Sequence, residues 1–481
     1  SIPASVMASI LVLQTLHDLS DRDTAEAARC DLRWKVATGM ALDHKGFDPT
    51  TLVYWRNRLA KSKRPHRINE AVGKVVVETG IVRGRRKRAV DSTILADAVA
   101  TQDTITQLVS VIRRVGRLVP GAAEAIAAVC TGHDYSRPGK PTSDWDEPGA
   151  KDVLVSALVN DANALVEACA EVDQDKLEEP AAAALALLAL VAGQDVEPAE
   201  GSDGTDGRWR IAGKVAPDRV ISTVDQDARH TRKSPEARRD GYRAHVVAEP
   251  ETGIITDEAL TKAAGTENSD PAVAERLVAA DQVIADDGAD HPDIREWYGD
   301  SAYGTGDLRG AIDDAGHRAV IKPKPLAAPV EGGFTIDAFI VDEQAGTVSC
   351  PAGNTRPISR TRVASFGALC RQCPMLKQCT TSPTGRKIVL HERDDLLRRA
   401  RREWAAEPEL REKYRTFRPN VERVVSQIAS RGGRRLKLRY RGTEKNNAWL
   451  TRRTAGLNLR NLVGRGLTRT TGNWVLATQT A

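Results

Sequence analysis

A chain of 481 residues with 41% hydrophobic and 28% charged side chains has room for about two to four domains, each able to bury a core. Its 70 Lys and Arg against 65 Asp and Glu leave a formal charge of only +5, which excludes a general polycation. No run reaches the roughly 18 apolar residues of a membrane span, no secretory leader pattern opens the chain, and seven cysteines, an odd number, argue against a disulfide framework and for a reducing cytoplasm.

In chain order the first elements are helical. Ile10 to Leu19 is apolar, Ser20 with Asp23 has the form of a capping box, and Asp48-Pro49 supplies an N-cap and a first-turn proline for a helix through Leu59. Basic residues at the helix ends, Arg56, Arg58, Lys61, Lys63 and Arg64, suit either DNA or a helical dimerisation module. A strand is expected from Arg86 to Thr93. From about Asp97 to Ala192 the pattern is helical, with Ile105, Leu108, Val109 and Ile112 on one face and a second stripe from Val153 to Val166. Cys30, Cys130 and Cys169 lie in such helical patterns and read as core.

Asp195 to Gly207 reads as a linker by composition. Strands follow at Arg219 to Val224, Tyr242 to Ala248 and Ile254 to Leu260, the last two joined by a turn over Glu249 to Gly253. A helix over Pro271 to Ala280, a strand over Glu296 to Ala302, a helix near Thr305 to Ala315 and a strand over Arg318 to Lys322 complete an α/β order. It suits a mixed sheet flanked by helices, with a long helical insertion after the first strand.

Three acids stand out by their settings. Asp91 and Asp300 lie at strand ends, and Glu422 opens a helix over Pro419 to Ser430 in which Val421, Val424, Val425 and Ile428 form an apolar stripe. Gly432-Gly433 is read as the end of that helix. Two carboxylates on strands and one on a helix can share a pair of Mg2+ ions, an arrangement suited to phosphoryl transfer on nucleic acid. Arg418, four residues before Glu422, suits a phosphate or an orienting contact to Glu422. The alternative for any one of these acids is a solvated surface carboxylate.

Cys350, Cys370, Cys373 and Cys379 have the spacing Cys-x19-Cys-x2-Cys-x5-Cys, enough for a closed tetrahedral Zn2+ site; reduced thiols in a small β-rich unit and a redox role are the alternatives. Arg356, Arg360, Arg362, Arg371 and Lys377 surround them. Between Arg431 and Arg465 the chain carries eleven basic residues and one acid, Glu444. There Leu436, Leu438 and Tyr440 alternate with Lys437 and Arg439 as a strand does, leaving Arg431, Arg434, Arg435, Lys437, Arg439 and Arg441 for phosphates. Trp449, Leu457, Leu459 and Leu462 read as a packed terminal helix, and His245 as a core or surface histidine.

The segments VDSTILADAVATQDTITQLVSVIRR, RRDGYRAHVVAEPETGIITDEALTKAAGTENSD, WYGDSAYGTGDL and FRPNVERVVSQIASRGGRRLKLRYRG, with SILVLQTLHDLSDRDTAEAARCDLRWKVATGM and DPTTLVYWRNRLA near the N-terminus, resemble bacterial insertion-sequence transposases of the DDE superfamily, and within them the group of insertion sequences numbered 1182. The resemblance implies an RNase H-like catalytic fold whose two aspartates and glutamate fall on Asp91, Asp300 and Glu422, with two Mg2+ (or Mn2+) ions between them. Related enzymes carry Tyr-x2-Arg-x3-Glu-x6-Lys around the glutamate. Here Arg418 and Glu422 match, Tyr414 is one residue too far from Arg418, and Ala429 stands at the Lys position.

The resemblance further implies a β-rich insertion between the last sheet strand and the glutamate helix, and partners in double-stranded DNA, as terminal inverted repeats and target. A homodimer on DNA and a cytoplasmic, nucleoid-associated setting without a membrane complete the expectation. The chain divides accordingly into a helical N-terminal DNA-binding or dimerisation domain (1–80), the first catalytic strand (84–100), a helical insertion with acidic linker (101–210), the continued core (216–325), a cysteine-bearing β-rich insertion (326–395), and a glutamate helix with basic C-terminal segment (396–481). Two other functions fit the same residues: an RNase H-like nuclease without strand transfer, and a repurposed DNA-binding protein that no longer cuts.

Overall fold

The chain begins with α1 (Ala4–His17), α2 (Asp21–Cys30), α3 (Leu32–Thr38), α4 (Thr50–Ala60) and α5 (Arg67–Glu78). In this computed structural model, all residues are described except 1, 138, 142–145, 171, 173–176, 215, 217, 233–237, 282–293 and 478–481. The capping box forms: Ser20 Oγ accepts from the Asp23 amide at 3.1 Å, and Asp23 Oδ2 accepts from the Ser20 amide at 3.3 Å. Asp48 Oδ1 accepts from the Thr50 amide at 2.8 Å, so α4 starts one residue after Pro49. Met7, Ile10, Leu11, Trp34 and Leu52 bury together between these helices. Cys30 is exposed, correcting its reading as core; Cys169 is buried and Cys130 partly so.

The strand β1 (Lys87–Ala96) leads into α6 (Thr104–Leu118), α7 (Ala122–Val129), α8 (Ala150–Ala168) and α9 (Glu179–Gln194). Their apolar faces, including Ile105, Leu108, Ile112, Leu158, Leu165 and Leu188, share one core. The expected linker after α9 instead folds back as β2 (Val196–Pro198) paired antiparallel with β3 (Trp209–Ile211). Trp209 is anchored to α8, its amide donating to Ser156 Oγ at 2.8 Å, and turns such as Asp203 Oδ1 accepting from Thr205 N reverse the polar run between the strands. The unit leaves and rejoins the sheet at one place, where the Gln102 amide donates to the Ile221 carbonyl at 2.8 Å.

The strand expected over 219–224 does not form. Val220 makes a single bridge to Arg229, while Thr223 turns to Gln102, whose Oε1 accepts from the Thr223 amide at 2.7 Å. The next strands are β4 (Arg229–Arg232), which the sequence pattern did not reveal, β5 (Arg238–Glu249) and β6 (Ile254–Lys262); then come α10 (Asp270–Ala280), β7 (Glu296–Gly299), α11 (Gly306–Asp314) and β8 (Arg318–Ile321). The sheet runs β4-β5-β1-β7-β8, with β6 also paired to β5. β5 pairs antiparallel with both β1 and β6, whereas β1, β7 and β8 run parallel.

Side chains alternate across this sheet with period two. Ala89, Val246, Tyr298 and Val320 join one core, and their sequence neighbours Val90, Val247, Trp297 and Ile321 join the core beneath α10 and α11. Beyond β8 lie β9 (Ile340–Asp342), β10 (Thr347–Ser349), β11 (Thr355–Pro357), β12 (Val363–Ser365), α12 (Leu376–Cys379) and β13 (Lys387–Val389). Phe339, Val348, Phe366 and Ile388 give these short strands a separate core.

The chain then returns through α13 (Asp394–Ala406), α14 (Pro408–Phe417) and α15 (Asn420–Ala429). Gly432 and Gly433, read from sequence as a helix end, instead turn a two-residue hairpin between β14 (Ser430–Arg431) and β15 (Arg434–Arg435), with φ of 55° and 77°. α16 (Thr443–Gly464) buries Trp449, Leu450, Leu457 and Leu462, and β16 (Leu467–Thr470) with β17 (Asn473–Leu476) closes the chain. This is a mixed α/β architecture, a curled mixed sheet flanked by helices. Among the described residues no helix is long and apolar enough to cross a membrane.

Candidate functional site

Strand register brings the two aspartates together. β1 pairs in parallel with β7 through Ala89 and Tyr298. Two residues further along stand Asp91, midway along β1 rather than at its end as expected, and Asp300, just past the end of β7. Because side chains alternate, both leave the sheet on the side of Ala89 and Tyr298, the side covered by α15. α15 buries Val421, Val424 and Ile428 against that face and carries Glu422 on its exposed flank. Glu422 is thus more solvated than its position beside Val421 suggests, with 64% of its side chain exposed against 16% for Asp91 and 44% for Asp300.

A single guanidinium joins the three. Arg418 Nη2 lies 3.0 Å from Asp91 Oδ2 and 3.8 Å from Asp300 Oδ2, and its Nη1 donates to Glu422 Oε1 in a short contact. Each aspartate turns its other oxygen to the backbone: Asp91 Oδ1 accepts from the Ser92 amide and Asp300 Oδ1 from the Ala302 amide, both at 2.8 Å. That leaves the two Oδ2 atoms facing one cation. Arg418 is 7% exposed; burial works against its charge, yet Asp91, Glu422 and Asp300 together hold it above the ordinary guanidinium value. Burial raises Asp91, Arg418 opposes the shift, and the other two carboxylates add to it.

Among the described residues no three His, Cys, Asp or Glu side chains close into a metal-holding group, so here the carboxylates converge on Arg418 rather than on a shared empty point. The donor chemistry nevertheless fits a hard divalent cation: all three groups are carboxylates, and two of their oxygens flank one positive centre. Tyr414, whose spacing departs from the family signature, lies one helical turn before Arg418 and takes the Arg418 amide on its carbonyl at 3.0 Å. Burial raises its hydroxyl, with Arg418 opposing and the three carboxylates contributing, which puts it beside the cluster. One extra residue in α14 hides this neighbour from a fixed-spacing search.

The basic segment is divided in its uses. Arg418 is committed to the carboxylates, Arg431 contacts His17 Nδ1 at 2.9 Å, and Arg439 reaches Asp18 at 3.5 Å. Arg434, Arg435, Lys437 and Arg441 are exposed. Leu436 and Leu438 are buried in alternation with them, as expected, but the stretch is an extended segment beside the end of β1, where the Leu438 amide donates to the Ala96 carbonyl at 2.8 Å. His245 is a core residue: fully buried, with Nε2 3.1 Å from Thr261 Oγ1, it is driven by burial down to about 3.

Cys350, Cys370, Cys373 and Cys379 line one small apolar cavity with Phe339, Phe366 and Arg386. All four are free thiols, and among the described residues no three of them are grouped so as to hold a metal ion. Burial pushes the Cys379 thiol up, Arg386 opposes, and the other three cysteines add to the rise.

Comparison with known families gives two matches. Residues 349–463, which include the four cysteines, Arg418 and Glu422, match the family model described as a transposase DDE domain. Residues 1–58 match a second model, described as a transposase domain. No curated protein and no solved structure matches the chain.

Proposed function

From the premise that the chain belongs to the DDE-type insertion-sequence transposases, as both matches indicate, we propose that it cuts DNA at the ends of its element and joins the freed 3'-hydroxyls to target DNA, with Asp91, Asp300 and Glu422 as the catalytic acids. Membership of the group numbered 1182 is part of this proposal. The observation that carries it is the convergence of the three carboxylates on Arg418. Only Glu422 lies within a matched region, so the two aspartates are supported by strand register and their shared contact with Arg418, not by the family comparison.

Asp91, Asp300 and Glu422 would hold the divalent metal, Mg2+ or Mn2+, whose chemistry there is to activate an attacking oxygen and neutralise a leaving one. The rigid strands fix the spacing of the two aspartates. Arg418 keeps the three acids together in the absence of another cation and supplies positive charge beside the phosphate. Exposed Arg434, Arg435, Lys437 and Arg441 would bind the DNA backbone without reading its sequence. Two element ends must be joined, so we propose at least a dimer on DNA. For the four cysteines we propose structural Zn2+, supported by the Cys-x2-Cys spacing and their common cavity.

The test is incubation of the protein with end-containing DNA, a target plasmid and Mg2+. Wild type yields joined products, while Asp91→Asn, Asp300→Asn and Glu422→Gln lose cleavage and retain DNA binding. Full cleavage by any of the three removes that residue from the assignment, and cleavage without joining makes the protein a nuclease. Elemental analysis of purified protein tests the cysteines: one zinc per chain is expected, and a zinc-free protein of normal stability rejects the site.

A further inference from the structure

Two consecutive arginines on α16 are buried, and they are treated differently. Arg453 is 2% exposed and gives its guanidinium to the carbonyls of Ile428, Thr15, Gln427 and Ser430, tying α1 and the end of α15 to α16. Arg452 is 7% exposed, its Nε has no hydrogen-bond partner, and among the described residues no carboxylate pairs with it. Burial pushes it down to about 10, so it still carries its charge at neutral pH. A buried, uncompensated guanidinium costs stability and is retained where something else supplies the negative charge.

Arg452 lines a cleft of about 500 Å³ between the N-terminal helices and the start of α16. Lys61, Lys445, Arg56, His66 and Tyr440 share its walls. Arg56 is neutralised by a two-pronged pair with Asp21 and stacks over the Tyr440 ring at 5.1 Å. His66 Nδ1 is buried without a partner. The one carboxylate on the lining is Glu444, and among the described residues it forms no ion pair. Positive charge in the cleft therefore exceeds negative, and one of its cations is almost wholly buried.

We propose that this cleft is a phosphodiester site, in which a phosphate group seats against the Arg452 guanidinium with Lys61 and Lys445 at the rim. That the phosphate belongs to a DNA backbone rests on the transposase reading; the need for an anion at Arg452 does not. The cleft joins a helix of the N-terminal unit to the helix that follows the basic segment, so a strand bound there would touch both parts of the chain at once.

The experiment uses the full-length protein, Arg452→Met and the exposed double variant Lys61→Gln/Lys445→Gln. Thermal unfolding is followed in phosphate and in chloride of equal ionic strength, and a duplex of about 30 base pairs is titrated across a range of salt. Phosphate is expected to raise the wild-type midpoint above its chloride control. Arg452→Met should start at or above the wild-type midpoint, since it removes an unpaired buried charge, and lose the phosphate response. Its duplex affinity should fall about eightfold at about 0.1 M salt, with the salt slope reduced by about 0.9, the value of one phosphate contact. The double variant, whose exposed substitutions spare the fold, should lower the slope as well.

A lower midpoint for Arg452→Met with phosphate response and salt slope intact assigns Arg452 a packing role and overturns the proposal. So does a wild-type protein indifferent to phosphate, or unchanged slopes in both variants. A phosphate response that Arg452→Met abolishes, in a protein that binds no duplex, keeps the anion site and rejects DNA as its source.

Discussion

Replacing Arg418 by Met removes the cation on which the three acids converge while keeping the length of an unbranched apolar stem. At an effective dielectric constant of about 20, a pair 3 to 4 Å apart gains roughly 4 to 5.5 kcal/mol before desolvation is counted. The Asp300 and Glu422 side chains are 44% and 64% exposed, so each of their pairs reduces to the surface range, below about 1 kcal/mol. Asp91 decides the magnitude: it is 16% exposed, 3.0 Å from the guanidinium and close to two like charges, and breaking such a pair leaves it uncompensated. We expect a loss of about 2 to 4 kcal/mol in EDTA near pH 7.5.

The sign with pH follows from proton uptake. Asp91 is already raised in the folded protein, and loss of Arg418 raises it further, so the folded variant binds its proton more tightly than the unfolded chain. Stability held in that way is full at low pH and is lost as pH rises through the folded value. The penalty of Arg418→Met should therefore be largest near pH 7.5 and shrink towards about pH 5, and Mg2+ should restore part of it by replacing the missing cation. Urea melts followed by circular dichroism at both pH values, with and without Mg2+, measure this. A loss below about 0.5 kcal/mol at pH 7.5, or an equal penalty at both pH values, refutes the electrostatic account.

Three further outcomes follow from buried charge. Arg88 and Arg295 share Asp281 at 3.0 and 2.8 Å, all three shielded from solvent, so Asp281→Ala should cost about 3 to 5 kcal/mol in a urea melt; a change under about 1 kcal/mol contradicts the pairing. Burial, with Asp240 and Asp225 nearby, pushes Asp97 up to about 6, so wild-type stability should fall as pH rises from about 4 through about 6, and Asp97→Asn should flatten that part of the profile; an unaltered profile rejects the role of Asp97. Arg453→Met, which strips donors from four carbonyls, should lower the thermal midpoint by several degrees, and a midpoint matching wild type denies Arg453 its tethering role.

The sheet's hairpin was legible because Tyr242 to Ala248 and Ile254 to Leu260 combine strand composition with a turn-forming stretch, and β5 and β6 extend both runs. Asp300 was legible as a strand-end acid, whereas Asp91, read at a strand end, lies midway along β1; the meeting of the two depends on a register between strands some two hundred residues apart, which no local pattern carries. Glu422 was placed by its apolar stripe, although its exposure and the central position of Arg418 emerge only when α15 lies on the sheet. β2 and β3 escaped notice because an acidic, glycine-rich run reads as linker unless the anchoring of Trp209 to Ser156 is known. The glycine pair after α15 fits a helix stop and a hairpin turn equally well in sequence; both require φ above zero.

The single exit and return of the helical unit, where Gln102 meets Ile221, separates the length of the chain from the geometry of the sheet. Closing that loop costs an entropy that grows only with the logarithm of the residues enclosed. What fills it, four helices and a strand pair with a core of their own, is free to lengthen, shorten or be exchanged while Asp91 and Asp300 keep their spacing. The face that carries the carboxylates and the helical unit can thus evolve on separate terms within one polypeptide.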